Sequence, residues 1–168
     1  MSETRLTTAQ KIVKNTPMGG NVGTDKYVFI IDDVQLLVLE PVLGTNLYEK
    51  IKTDYDNDSL TGLYKTLLED YIQPFLNKAV FADYVSNGSY RIRNNGNLKN
   101  TPNNAETMET QENVRLMRHY TNVADRFLAK MEDFLMYKGS EIPEYLTQDN
   151  NYDVEPKNNK GYKIGWFL

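Results

Sequence analysis

Three acidic side chains at alternate positions, Asp54, Asp56 and Asp58, come nearest in this chain to a metal-binding motif. Carboxylates so spaced open an EF-hand calcium loop, where hard oxygen donors surround the ion. That loop needs glycine at its sixth position for the sharp turn and glutamate at its twelfth to close the coordination shell. This chain has Ser59 and Lys65 there. A solvated loop, with Asp58 capping the helix that follows, fits better.

The segment Gly19-Gly20-Asn21-Val22-Gly23-Thr24 invites a phosphate-loop reading. It lacks the Gly-Lys-Ser/Thr ending that brings a lysine to the phosphates, and no clear strand precedes it. His119 is the single histidine, and the chain has no cysteine to complete a metal site with it. No serine stands in a recognisable signature with a histidine and an acid, and no carboxylate pair stands out from the surface charge. No catalytic residue, cofactor or metal ion is therefore expected.

Two other groups of residues suit contacts with partners. Arg91 and Arg93 flank Ile92, with Lys99 close behind, in a segment that reads as a projecting ribbon. They suit DNA phosphates or acidic groups on a neighbouring subunit, although charges also serve simply to keep a ribbon edge soluble. Further on, Tyr162, Ile164, Trp166, Phe167 and Leu168 put large apolar surface after a polar stretch. Such residues either fold back on the chain's own helices or dock on a partner.

The elements that must position these groups are helical. Residues 1–24 are polar and broken by Pro17 and the glycines Gly19, Gly20 and Gly23, which reads as an N-terminal arm with a short helix around Ala9 to Lys14. Tyr27, Ile30, Ile31, Val34, Leu37, Val38 and Val42 then recur at the spacing of one helical face, with a strand from Tyr27 to Ile31 as the competing assignment. Pro41 and Gly44 predict a kink and a stop, after which Thr45 caps a short helix to about Asp54. Leu60, Leu63, Leu67, Leu68, Tyr71, Ile72, Phe75, Leu76, Ala79, Val80 and Tyr84 mark a long helix, bent at Pro74 and closed by Asn87-Gly88. Residues 88–104 lose the pattern, and Asn95-Gly96 predicts a hairpin or an extended loop. From Glu106 to Tyr137 the spacing of Leu116, Tyr120, Val123, Phe127, Met131 and Phe134 predicts the longest helix, with one further turn at Pro143 to Leu146.

The expected fold is thus mainly α: a bundle of about four helices, two of them long, with a β-hairpin or extended ribbon at 88–104. Residues 25–146 form the domain, flanked by arms at 1–24 and 147–168. A chain of 168 residues, 40% hydrophobic, supports one core. A net charge of −4 argues against free nucleic acid or an anionic membrane as the main partner. With no cysteine, disulfides and thiolate chemistry are excluded. The polar start, Met1-Ser2-Glu3-Thr4-Arg5, has no apolar h-region, so export by that route is not expected.

Several short marks, in order, resemble the helical head-tail connector (adaptor) proteins of tailed bacteriophages, and among them the neck ring proteins of crAss-like phages. They are Thr16-Pro17 and Gly20-Asn21, Leu43-Gly44 followed by Leu47-Tyr48, Tyr71-Ile72-Gln73-Pro74-Phe75-Leu76, Gly96, and Ile142-Pro143-Glu144-Tyr145. The resemblance covers about 7–146. It implies a structural virion protein, assembled in the host bacterial cytoplasm, that forms a homo-oligomeric ring, a dodecamer in such families. The ring would join the portal protein to the next ring or tail protein and extend the channel for DNA, which passes without sequence-specific binding. It also implies that the ribbon (Arg91, Arg93, Lys99) and the final apolar residues make contacts with partners. The competing readings are a helical nucleic-acid-binding or regulatory protein, which needs a basic face, and a small enzyme with a polar pocket.

Overall fold

Two prolines set the course of the long helices in the computed structural model, which describes residues 4–87, 90–93, 96–99, 110–147 and 153–156. After helix α1 (Ala9–Asn15) and a 3-10 turn (Thr24–Lys26), helix α2 runs through Val28–Val34, a π-helical turn at Gln35–Leu39, and Glu40–Leu43. Helix α3 follows at Thr45–Asp56. Helix α4 repeats the pattern of α2: Gly62–Thr66, a π-helical stretch at Leu67–Ile72, then Gln73–Asn87.

In α2 and α4 alike the widened turn ends two residues before the proline. The N–H of Glu40 donates to Gln35 O and that of Gln73 to Leu68 O, each five residues back. A proline lacks the N–H of the ordinary ladder and its ring crowds the carbonyl four residues earlier; a π turn makes room for it without ending the helix. The widening also shifts which residues face inward. Val34, Gln35, Val38, Leu39, Val42 and Leu43 are buried, whereas Leu37, expected on the inner face, is 66% exposed. The strand assignment at Tyr27 to Ile31 is overturned, since Val28–Val34 is α-helix.

Helix α5 (Thr110–Lys138) is 29 residues long. It packs along α4, inserting Ala124, Leu128, Met131 and Leu135, and α1 and α2 pack on α4 as well. A 3-10 turn (Gly139–Glu141) and helix α6 (Pro143–Leu146) then fold back onto α3. Strands β1 (Tyr90–Arg93) and β2 (Gly96–Lys99) pair antiparallel. The described chain is mainly α-helical, with six helices.

Three local expectations are corrected. Residues 4–24 do not stand off as an arm: Leu6 and Ile12 are fully buried and Met18 is 5% exposed, because Thr8 caps a real helix whose apolar side seats on α4. Thr45 does not cap α3. Gly44, at φ 78 and ψ 153, holds that position and leaves Thr45 as the first helical residue. Asp58 does not cap α4, which begins at Gly62 behind Thr61; Asp58 instead takes φ 51 in the turn, a left-handed conformation that aspartate tolerates.

Candidate interaction surfaces

Buried amide side chains hold the segment Thr4 to Thr7 as an adjacent strand would. The Leu6 N–H donates to Gln35 Oε1 at 2.7 Å, and Gln35 Nε2 donates to Thr4 O at 3.0 Å. From the other side Gln73 Nε2 donates to Leu6 O at 2.9 Å, while Gln73 Oε1 accepts from Lys11 Nζ at 2.7 Å. Thr7 Oγ1 donates to Asn77 Oδ1 at 2.7 Å, and Arg5 makes a two-pronged pair with Asp32 at 2.7 and 2.6 Å. Gln35 opens the π turn of α2 and Gln73 directly follows that of α4, so both proline-linked features serve one clasp. Buried polar groups without partners are costly, which explains why four polar residues, Thr7, Gln35, Gln73 and Asn77, occur together in an otherwise apolar core.

A second junction lies at the α2–α3 corner. Thr45 N donates to Val154 O at 3.1 Å, Val154 N donates to Thr45 Oγ1 at 2.9 Å, and Thr45 Oγ1 donates to Glu40 Oε1 at 2.7 Å. Residues 153–156, placed in the expected C-terminal arm, are thus anchored here. Nearby, Tyr64 Oη donates to Glu144 Oε2 at 2.5 Å and Asn46 Nδ2 to Thr147 O at 2.9 Å, which hold α6 in place. Burial first, and the Glu144 carboxylate second, push the Tyr64 hydroxyl up to about 12.

The outer surface carries two groups of exposed large apolar residues. Phe29 (51%), Leu36 (51%) and Leu37 (66%) lie on α2; Met136, Tyr137 and Leu146 lie at the end of α5 and on α6. Beside the first group Asp83 titrates above the usual carboxylate range, because of burial and then the neighbouring Asp33 charge, partly offset by a hydrogen bond from Asn87.

The sequence motifs for chemistry come apart in the structure. Helix α3 continues through Asp56, so Asp54 and Asp56 point to different sides. Asp54 pairs with Lys50 at 2.9 Å, and Asp56 accepts from Thr4 Oγ1. Among the described residues no group of three or more metal-ligating side chains forms. Gly19 and Gly20 face open space ahead of a 3-10 turn, and exposed His119 has its ring edge-on to Tyr120 at 5.1 Å. A polar cleft of about 130 Å³ between α1 and the start of α4 includes Lys11, Asp54, Lys65 and Glu69. Within it Lys65 lies 3.9 Å from Glu69, and Lys11 donates to the neutral amide of Gln73.

Arg91, Arg93 and Lys99 fall on the two strands, where the register sets Arg91 opposite Leu98, Arg93 opposite Gly96 and Lys99 opposite Tyr90. Tyr162, Ile164, Trp166, Phe167 and Leu168 lie outside the described residues. Gln35, Gln73 and Asn77 were missed as key positions; their polar side chains on otherwise apolar helical faces were the available signal.

Among the described residues no helix is long and apolar enough to cross a membrane. The chain is a mainly helical protein in which buried amides fasten residues 4–7 and a glycine corner fastens residues 153–156. It belongs to a family described as a family of unknown function (DUF6712), which matches residues 39–154. No curated protein and no solved structure matches the chain.

Proposed function

We propose that this protein is a structural ring subunit, a head-tail connector of a tailed phage, joining the portal to the next ring or tail protein and lining the path of the DNA. The long helices act as a bundle of four with a projecting β-hairpin, and the hairpin and the 157–168 segment supply contacts between rings. The observation that carries this reading is the pair of exposed apolar groups, Phe29/Leu36/Leu37 and Met136/Tyr137/Leu146, on separate helices of a chain whose core is already filled. Two unlike sticky patches favour head-to-tail association, which closes into a ring when the rotation permits. The ordered sequence marks of connector proteins support the same conclusion, and the acidic balance suits a conduit that must not retain DNA.

Negative-stain microscopy of the purified protein tests it. Rings with a central channel are expected, and particles labelled through this chain should carry the label at the neck. A monomer at all concentrations, absent from particles, overturns the proposal.

A further inference from the structure

The outer side of α5 carries charge that the described fold does not answer. Arg115, Arg118, Arg126 and Lys130 are exposed, recur at the spacing of one helical side, and pair with no carboxylate among the described residues. His119, Asn122 and Ala129 fill the exposed positions between them, so no exposed acid interrupts about 22 Å of helix at ~1.5 Å per residue. Asp133 is the first acid beyond the stripe on that side. In a chain of net charge −4 the stripe runs against the overall balance. The same side ends in exposed Met136 and Tyr137, about two turns past Lys130.

That combination suits a protein partner. A phosphate backbone would answer the cations and leave the apolar end in water, whereas Arg, Tyr and Met together are enriched where protein surfaces meet. The same molecule carries the opposite arrangement. Exposed Asp33 stands on the outer side of α2 between Phe29 and Leu36, and Asp83 on α4 is close enough to feel its charge. No cation pairs with either among the described residues. The spacings also agree: Lys130 lies about 10 Å from Tyr137 along α5 and Asp33 about 6 Å from Leu37 along α2, at ~1.5 Å per residue. The flexible stem of a lysine spans that difference.

We propose that the basic side of α5 docks on the Asp33 side of α2 in a second copy of this chain, with Arg126 and Lys130 meeting Asp33 and the Met136/Tyr137 end meeting Leu36 and Leu37. This rests on the ring reading and adds the charged contact that selects which face meets which. Two α5 sides repel each other, as do two Asp33 sides, so the contact is head-to-tail.

Sedimentation and negative-stain microscopy of the full chain test it. Rings of the unaltered protein should loosen as ionic strength rises, because salt screens exposed ion pairs. Arg126→Glu/Lys130→Glu should lose them with unchanged far-UV circular dichroism, and Asp33→Lys added to that pair should bring them back. Rings indifferent to salt and to the double variant would overturn this contact while leaving the ring reading in place, and so would loss without regain in the charge-swapped triple variant. An unaltered protein that never associates would overturn both. A fluorescent DNA duplex bound by the unaltered protein and released by Arg126→Glu/Lys130→Glu would assign the face to nucleic acid, against the contact between copies.

Discussion

Pro156 packs on Gly44 where any other residue would carry its Cβ: an atom built there lies 2.6 Å from Pro156 Cγ and 2.8 Å from Cδ. Gly44 also sits at φ 78 and ψ 153, a backbone region essentially reserved for glycine. One position therefore ends α2, starts α3 and receives the segment that returns after α6.

Gly44→Ala should destabilise the fold by about 1–3 kcal/mol, the usual cost of a non-glycine residue in such a conformation. It should also loosen the 153–156 segment, because the new methyl group displaces Pro156. A urea titration measures the first effect and limited proteolysis near Glu155 the second. An unchanged midpoint together with unchanged cleavage would show that the corner yields without strain.

Removing the amide of Gln35 should cost more than an ordinary surface change. Gln35→Leu leaves the Leu6 N–H and the Thr4 carbonyl without their partner, at about 1–3 kcal/mol for a buried unpaired group. Gln73→Leu should act similarly through Leu6 O. Because both amides hold Leu6, the double variant should lose less than the sum, since the second change acts on a segment already released. Denaturation midpoints of the two single variants and the double variant check this, and strict additivity would mean the two amides act independently.

Asp83 gives a pH dependence with a defined sign. Burial and the Asp33 charge raise its folded-state pKa above the ordinary value of 3.8, so the folded protein holds this proton more tightly than the unfolded chain. The associated stability is present at acid pH and is lost as pH rises through the folded-state pKa. Asp83→Asn keeps an acceptor for Asn87 and removes the charge, so it should stabilise the protein at neutral pH. That gain should vanish as pH falls below the unfolded-state value. Melting temperatures of both proteins across the acidic range give the comparison, and a constant difference at all pH values would rule out titration of Asp83 as the cause.

What the sequence disclosed follows from which signals are local. The spacing of Leu67, Ile72, Phe75, Leu76 and Val80 marks α4 because helical periodicity is a short-range property, and the pattern from Leu116 to Phe134 does the same for α5. Leu43-Gly44 announced its corner for the same reason. Leu37 was misplaced because the π turn before Pro41 shifts the register of the inner face, and nothing in the composition of 35–39 signals that widening. The clasp escaped notice because Gln35, Gln73 and Asn77 are meaningful only once Leu6 and Thr7 arrive from far away in the chain. The apparent metal loop failed in space because α3 runs on through Asp56 and separates the carboxylates.

The same non-local contacts predict that the span matching the family, 39–154, is not self-sufficient in this protein. Leu6 and Ile12, each 0% exposed, come from outside it, as do Tyr27 and, from α2, Ile30, Ile31 and Val34. Deleting residues 1–23 strips Leu6, Ile12 and Met18, each fully buried apolar side chain being worth about 1.5–3 kcal/mol. It also leaves Gln35, Gln73 and Asn77 facing an empty groove. Against a total stability of about 5–15 kcal/mol, that loss should abolish cooperative melting. Adding a peptide of residues 1–16 should restore a melting transition, because the groove is shaped for that segment and the peptide supplies Leu6, Ile12 and the clasped backbone. Circular dichroism of the truncated protein with and without the peptide decides it. A sharp, full-height transition from the truncated protein alone would show that the N-terminal segment is an accessory to the fold and not a part of its core.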